Sequence, residues 1–416
     1  MMRQRRFVVR IALALALLGL LPVAPAQARA KERWVAAWAS AQLVPASDAA
    51  VPAADLSDAT VRQVIRVSLA GSQVRLRLSN VHGTAPLRIG AASLARSAAN
   101  ATARLVAGSL RPVTFGGLPG AVIPAGAELW SDPVDLAVAR GEDLAVSLYL
   151  PAPPTPLTSH PGSRASSHFI AGNRVSADDL PGAKVHPRWV LVAGAEVVSR
   201  RGRAVVAFGD SITDGYGVQP DTNLRWTDHF ARRLAARRQT RDLAVLNAGI
   251  GGNRLVRDGL GPNALARFER DVLSHPGVTH VIVFEGVNDL GVLTRDAPAT
   301  PEAHAALVRE MIEALRQMVL RARSRGVKAI GATILPYGGS AYYHPDAVSE
   351  VDRQAVNAWI RTPGNFDAVI DFDAALRDPA NPTRLRPELD SGDGLHPSLK
   401  GYEAMAAAVP LDLFAR

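Results

Sequence analysis

Four short segments, far apart in the chain, carry residue types that together could perform nucleophilic acyl transfer. They are Gly209-Asp210-Ser211, the glycine cluster ending at Gly252, Gly286-Val287-Asn288-Asp289, and Asp393-Gly394-Leu395-His396. A serine hydroxyl is a poor nucleophile until a base removes its proton. An imidazole, titrating at about pH 6.5, can take that proton and return it near neutrality. Ser211 and His396 fit these two parts, and His396, among ten histidines, sits three residues after an acid in a tight glycine-containing turn. Asp393 would accept from the far ring nitrogen and fix the tautomer. A tetrahedral intermediate also needs donors for its oxyanion, and a backbone N–H beside a glycine and the Asn288 side-chain amide are suitable. The ordinary alternatives are a helix N-cap for Ser211, a surface site for His396 and a turn-forming aspartate for Asp393, with Asp390 nearby as a rival.

These residues must be brought together by the elements around them. From residue 204 onward apolar strands alternate with amphipathic helices: 204–208, 243–246, 281–284, 327–335 and 368–370 read as strands. A long helix is expected over about 301–325, a second holds Ala355, Val356 and Trp359, and a short last one follows Pro397. Continuous apolar strands between such helices imply a parallel sheet covered on both faces. Ligands of open parallel sheets bind beyond the carboxyl ends of the strands. Ser211, Gly252 and Asn288 follow the first, second and third strands, so all three are expected at one edge.

At this level the segments resemble the SGNH/GDSL hydrolase superfamily. Phe208 to Gly215 is similar to its first block, Asn247 to Asn253 to its second, Gly286 to Asp289 to its third and Asp393 to Pro397 to its last. The resemblance covers about 204–409. It implies a flavodoxin-like three-layer αβα domain and an acyl-enzyme mechanism without metal or cofactor. It also selects Gly252, with the backbone N–H of Ser211 and the amide of Asn288, as the oxyanion hole; Gly249 and Gly251 remain ordinary turn glycines. Asp210, Asp214, Asn247 and Asp289 are read as groups bonding loop backbone, because they lie on separate loops without a metal-ligand spacing.

Residues 31–200 read as an all-β sandwich or jelly-roll-like domain, which resembles the front domain of secreted arylesterase- and acylhydrolase-type members. Val74, Leu76 and Leu78 alternate with Arg75 and Arg77, as do Leu144, Val146, Leu148 and Leu150 with their neighbours. A hairpin is expected at Ala70-Gly71-Ser72-Gln73. The proline-rich stretch 151–190 is expected to be a long loop, and His160, Arg164 and His168 within it are candidates to line a substrate pocket. Residues 201–416 form the expected catalytic domain.

The first 30 residues have the layout of a secretory signal peptide, a basic start, an apolar run over 11–21 and then prolines and small residues. Export, secreted or periplasmic, and no membrane span after cleavage are the expectations. Those 30 residues hold five of the 47 basic residues, leaving 42 against 38 acidic ones, so much of the formal +9 belongs to the leader. The remaining arginine runs (232–233, 237–238, 321–325) fall on expected helices without interleaved aromatics. Solvated faces are expected there, not nucleic-acid binding. With no cysteine, thiol chemistry and disulfides are excluded.

The expected function is hydrolysis of carboxylic esters, with short acyl groups on carbohydrate, such as acetylated polysaccharide, as leading substrate. The alternatives are an arylesterase or lysophospholipase-type lipase, an acyltransferase, or a carbohydrate-binding protein on a hydrolase scaffold. Oligomeric state is left open.

Overall fold

The alternating apolar runs form two kinds of sheet. The computed structural model describes residues 32–47 and 50–415; the expected signal peptide, 1–30, lies outside them. A four-stranded antiparallel sheet is ordered Arg33–Ala39, Val192–Ser199, Val74–Ser79, Glu128–Trp130. A six-stranded antiparallel sheet is ordered Lys184–His186, Ser167–Ala171, Ala59–Arg66, Asp143–Leu150, Ala91–Arg96, Arg111–Val113. These make the front β-sandwich.

Three expectations about this half fail. Ala59–Arg66 and Val74–Ser79 do not form a hairpin, because they belong to different sheets; the chain at 67–73 crosses between them. The stretch 151–190 is not one loop but carries four short strands, including Ser159–His160 paired with Trp189–Val190. Arg77, on the polar side of the period-two alternation of a half-buried strand, is itself buried and pairs with Glu128 at 3.2 Å and the Ser274 hydroxyl at 2.9 Å. That face of the sandwich is covered by the second half of the chain.

The second half is a five-stranded, all-parallel sheet. Its strands are Arg203–Gly209, Leu243–Gly249, Val278–Phe284, Lys328–Ala332 and Ala368–Ile370, and their order across the sheet is second, first, third, fourth, fifth. This is the flavodoxin-like order, whose switch point lies at the end of the first strand. The chain thus reaches Ser211 where neighbouring crossovers leave in opposite directions and open a crevice. Trp226–Ala236, Pro301–Ser324, Ala347–Arg361 and Leu399–Ala408 are helices of this half. The longest starts at a Thr300 cap that accepts from the Ala303 N–H, with Pro301 in its first turn, where a missing N–H costs nothing.

One continuous hydrophobic cluster runs through both halves. Strand Arg33–Ala39 packs beside Leu243–Gly249. The Ala36 N–H donates to the Pro276 carbonyl at 2.9 Å, and the Ser68 hydroxyl bonds both backbone groups of Val245 at 3.0 Å. The arginine runs are only partly solvated. Arg233 clamps the Ala406 and Val409 carbonyls at the end of the last long helix, and Arg321 donates to Leu265 O at 2.9 Å. No helix among the described residues is long and apolar enough to cross a membrane.

Candidate active site

Ser211 opens a four-residue helix, Ser211–Asp214, directly after the first parallel strand. Asp210 caps that helix by accepting from the Ile212 N–H at 2.9 Å. Gly215, left-handed at φ 91°, closes it by donating to the Ser211 carbonyl. The first N–H groups of a helix have no intrahelical partner, so the Ser211 N–H is left for another acceptor.

Ser211 Oγ lies 2.9 Å from His396 Nε2. His396 Nδ1 lies 2.7 Å from Asp393 Oδ2. The second carboxylate oxygen, Oδ1, accepts from the backbone N–H groups of His396 at 2.8 Å and Leu395 at 2.9 Å. Burial works against the charge of Asp393, but the bonds from the imidazole and the two backbone groups outweigh it and hold the carboxyl well below the usual range. Asp390 is separate, accepting from the Gly392 and Gly394 N–H groups and shaping the turn. Three residues that start 185 positions apart in sequence are therefore one hydrogen-bonded chain.

The glycine cluster and Asn288 meet beside it. Gly252 has φ 68°, a left-handed conformation that favours glycine, and a Cβ there would press on Leu260 at 2.9 Å. No hydrogen bond of its N–H occurs among the described residues. The Asn288 amide donates to the Asn253 carbonyl at 2.7 Å, which uses one of its two hydrogens. Its oxygen accepts from the Tyr343 hydroxyl at 2.6 Å, which fixes which end of the amide faces the crevice. Gly249, read as a plain turn glycine, permits a close approach: a Cβ would lie 2.3 Å from the Asp214 nitrogen, so the second strand could not pass the serine turn.

Under this layer lies Arg267, fully buried. It donates to the Gly209 and Ala248 carbonyls, to Asn253 Oδ1 and to Asp271 and Glu285, with its guanidinium 4.1 Å from the centre of the Phe208 ring. One cation thus ties the ends of the first two strands to the glycine loop. Three carboxyls of this layer, Asp210, Glu285 and Asp289, are buried and raised. Burial, reinforced by the charge of Asp289, pushes Asp210 up to about 7, and burial pushes Asp289 up to about 6 despite its bonds from Leu255 and Val256. Burial and the neighbouring Asp210 raise Glu285 well above its ordinary value.

The three residues of the proline-rich stretch have different positions. His160 is buried, its Nε2 2.9 Å from Asp214 Oδ1 and its Nδ1 2.8 Å from the Ala41 carbonyl. It joins the sandwich to the last residue of the serine helix. The guanidinium of Arg164 lies 5.9 Å from the centre of the Tyr216 ring. His168 is a strand residue paired opposite Arg62 and Val185, and no bond or ring contact links it to Ser211 or His396 among the described residues. The structure therefore brings Ser211, His396, Asp393, Gly252 and Asn288 to one edge, with His160 and Arg164 adjacent, and leaves His168 in the sheet.

Two residues were missed in the sequence. Tyr216 stacks on the His396 ring, with centroids 3.9 Å apart and planes 23° apart. Tyr343 orients Asn288, as above. Both stand on loops at the carboxyl edge of the parallel sheet, and that placement was the available signal. Replacing Tyr343 by phenylalanine strands a buried amide oxygen, a loss of about 1–3 kcal/mol in the orientation of that donor. The expected result is a fall in kcat of roughly tenfold with KM almost unchanged, measured on p-nitrophenyl acetate. An unaltered kcat would free Asn288 from this tether.

Residues 207–404 match the model of the GDSL-like lipase/acylhydrolase family. No curated protein matches the chain. Solved structures that resemble it include an acetyl xylan esterase from Geobacillus stearothermophilus, 26% identical over 50% of this chain and 92% of that one, with a TM-score of 0.38. Another is a GDSL-like lipase from Bacteroides thetaiotaomicron VPI-5482, 20% identical over 50% of this chain and 85% of that one, with a TM-score of 0.36. Residues 207–404, which hold the serine, the glycine loop, the asparagine and the aspartate–histidine turn, therefore form a GDSL-like lipase/acylhydrolase domain.

Proposed function

We propose that the protein is an exported serine esterase that removes short acyl groups, acetyl above all, from carbohydrate. The observation that carries the chemistry is the unbroken hydrogen-bond chain from Ser211 through His396 to Asp393. In this reading Ser211 Oγ bonds to the ester carbonyl carbon while its proton passes to His396 Nε2. The oxyanion is held by the N–H groups of Ser211 and Gly252 and the free hydrogen of the Asn288 amide. As the intermediate collapses, the carbon–oxygen bond to the alcohol breaks, and the alcohol oxygen takes the proton from His396. Water then repeats the sequence on the acyl-serine, releasing the acid and restoring the hydroxyl.

The carbohydrate side of the proposal is supported by Arg164, a charged group that the sandwich delivers to this edge, and by the exposed residue Tyr216 beside the base; His160, buried with both ring nitrogens bonded, supports the serine helix instead. Export rests on the leader-like composition of residues 1–30. A series of p-nitrophenyl esters tests the acyl half: kcat/KM is expected to peak at acetate and fall with each added pair of carbons. A maximum at eight or more carbons would replace this reading with a lipase.

A further inference from the structure

The sandwich loop reaches the catalytic edge at one charged residue that has no counterion. Arg164 sits at φ 48°, a left-handed conformation that costs a non-glycine residue about 1–2 kcal/mol. Its backbone is held there, because the Asp221 N–H donates to its carbonyl at 2.9 Å. Its guanidinium makes no hydrogen bond or ion pair among the described residues, and its Nε is buried without a partner. The acids nearby are already engaged. Asp221 accepts from the Ser166 N–H and hydroxyl, and Asp214 is bonded to His160. A half-buried cation left unpaired on a strained backbone is poor design for stability alone, and it points to an anion that comes and goes.

What Arg164 faces says where that anion belongs. Its guanidinium carbon is 5.9 Å from the Tyr216 ring centre, and Tyr216 stacks on His396. Tyr216 is itself rigidly held, its N–H donating to Ser211 O at 2.9 Å and its carbonyl accepting from the Tyr402 hydroxyl at 2.7 Å. The residue is nevertheless 47% exposed. The alcohol half of an ester must reach His396 Nε2 to collect its proton, so that half passes along the Tyr216 ring toward Arg164. A guanidinium matches a carboxylate with two parallel hydrogen bonds.

We propose that Tyr216 and Arg164 form the subsite for the alcohol half of the ester, and that the preferred substrate carries a carboxylate there, bound by Arg164 while its ring lies against Tyr216. This rests on the assignment of Ser211 and His396 as the reacting pair and adds the chemical class of the leaving group.

The test compares phenyl acetate with 3- and 4-carboxyphenyl acetate in the full-length protein. The measured quantity is the ratio of kcat/KM, carboxylated over neutral, for each protein; within one preparation any misfolded fraction cancels. In Arg164→Gln the ratio for the better carboxylated isomer is expected to fall roughly tenfold, the factor that corresponds to about 1.4 kcal/mol of charge-assisted hydrogen bonding. Arg164→Lys, which keeps a point charge, should recover part of it. Added salt should lower the wild-type ratio and leave that of Arg164→Gln unmoved. Equal ratios in wild type and Arg164→Gln would overturn the subsite. Failure of wild type to cleave phenyl acetate in a Ser211-dependent way would overturn the esterase reading beneath it.

Discussion

Replacing Ser211 by alanine is expected to lower kcat on p-nitrophenyl acetate by about a millionfold, the scale set by loss of a triad nucleophile, and to abolish labelling by a fluorophosphonate. The fold should not notice. Among the described residues Ser211 Oγ has a single side-chain partner, His396, and the cap of its helix is supplied by Asp210. The backbone N–H of residue 211 survives the change, as do Gly252 and Asn288, so the oxyanion donors remain. A residual rate of about 10³ over water is therefore expected. His396→Ala should cost about as much, and the double variant should fall no further, because in the proposed mechanism the two side chains perform one proton transfer. Additive losses would mean that the 2.9 Å contact is not used in the reaction. A mass adduct on any residue other than Ser211 would move the nucleophile elsewhere.

The parts of this site that could be read from the sequence are those fixed by local chain direction. An apolar strand must end somewhere, and in a parallel sheet all strands end on one side. Ser211, Gly252 and Asn288 each follow such an end within a few residues, so their convergence needed no knowledge of packing. The aspartate–histidine pair lies within four residues and closes on itself. Asp393 could be told from Asp390 only in three dimensions, where the turn glycines take one and the imidazole the other. Tyr343 contacts Asn288 across 55 positions, and nothing in Ala341-Tyr342-Tyr343-His344 marks which tyrosine turns inward. Arg77 departs from the alternation rule for a related reason. A buried arginine is stable when carbonyls and hydroxyls surround it, as Ser147 Oγ and the Ala103 and Ala177 carbonyls surround Arg62, and those partners come from remote strands and loops. Even so, burial lowers the Arg62 guanidinium to about 10. The same reasoning explains the missed sheet assignment: residues 59–66 and 74–79 are each good strands, and only the rest of the sandwich decides that they part.

Asp393 offers the sharper test of mechanism, because its replacement by asparagine changes a tautomer and little else. The carboxylate uses its two oxygens differently. Oδ1 takes the backbone N–H groups of Leu395 and His396, and Oδ2 faces the imidazole. In Asp393→Asn the amide oxygen can keep the two backbone donors, so the turn should persist. The amide nitrogen then faces His396 Nδ1 and can only donate to it. The ring must place its hydrogen on Nε2, pointing at Ser211 Oγ, and a nitrogen that already carries a hydrogen cannot take the serine proton. A loss of about 10⁴ in kcat follows, with the acyl-enzyme step slowed before release. Because the wild-type carboxyl is held below its usual range, it stays charged throughout the working pH range and contributes no titration of its own near neutrality. Asp390→Asn is the matched control. Among the described residues its carboxylate bonds only the Gly392 and Gly394 N–H groups, and its replacement should cost less than tenfold. If the two variants lost activity equally, the aspartates would be shaping the turn together and the imidazole would not depend on Asp393 for its tautomer.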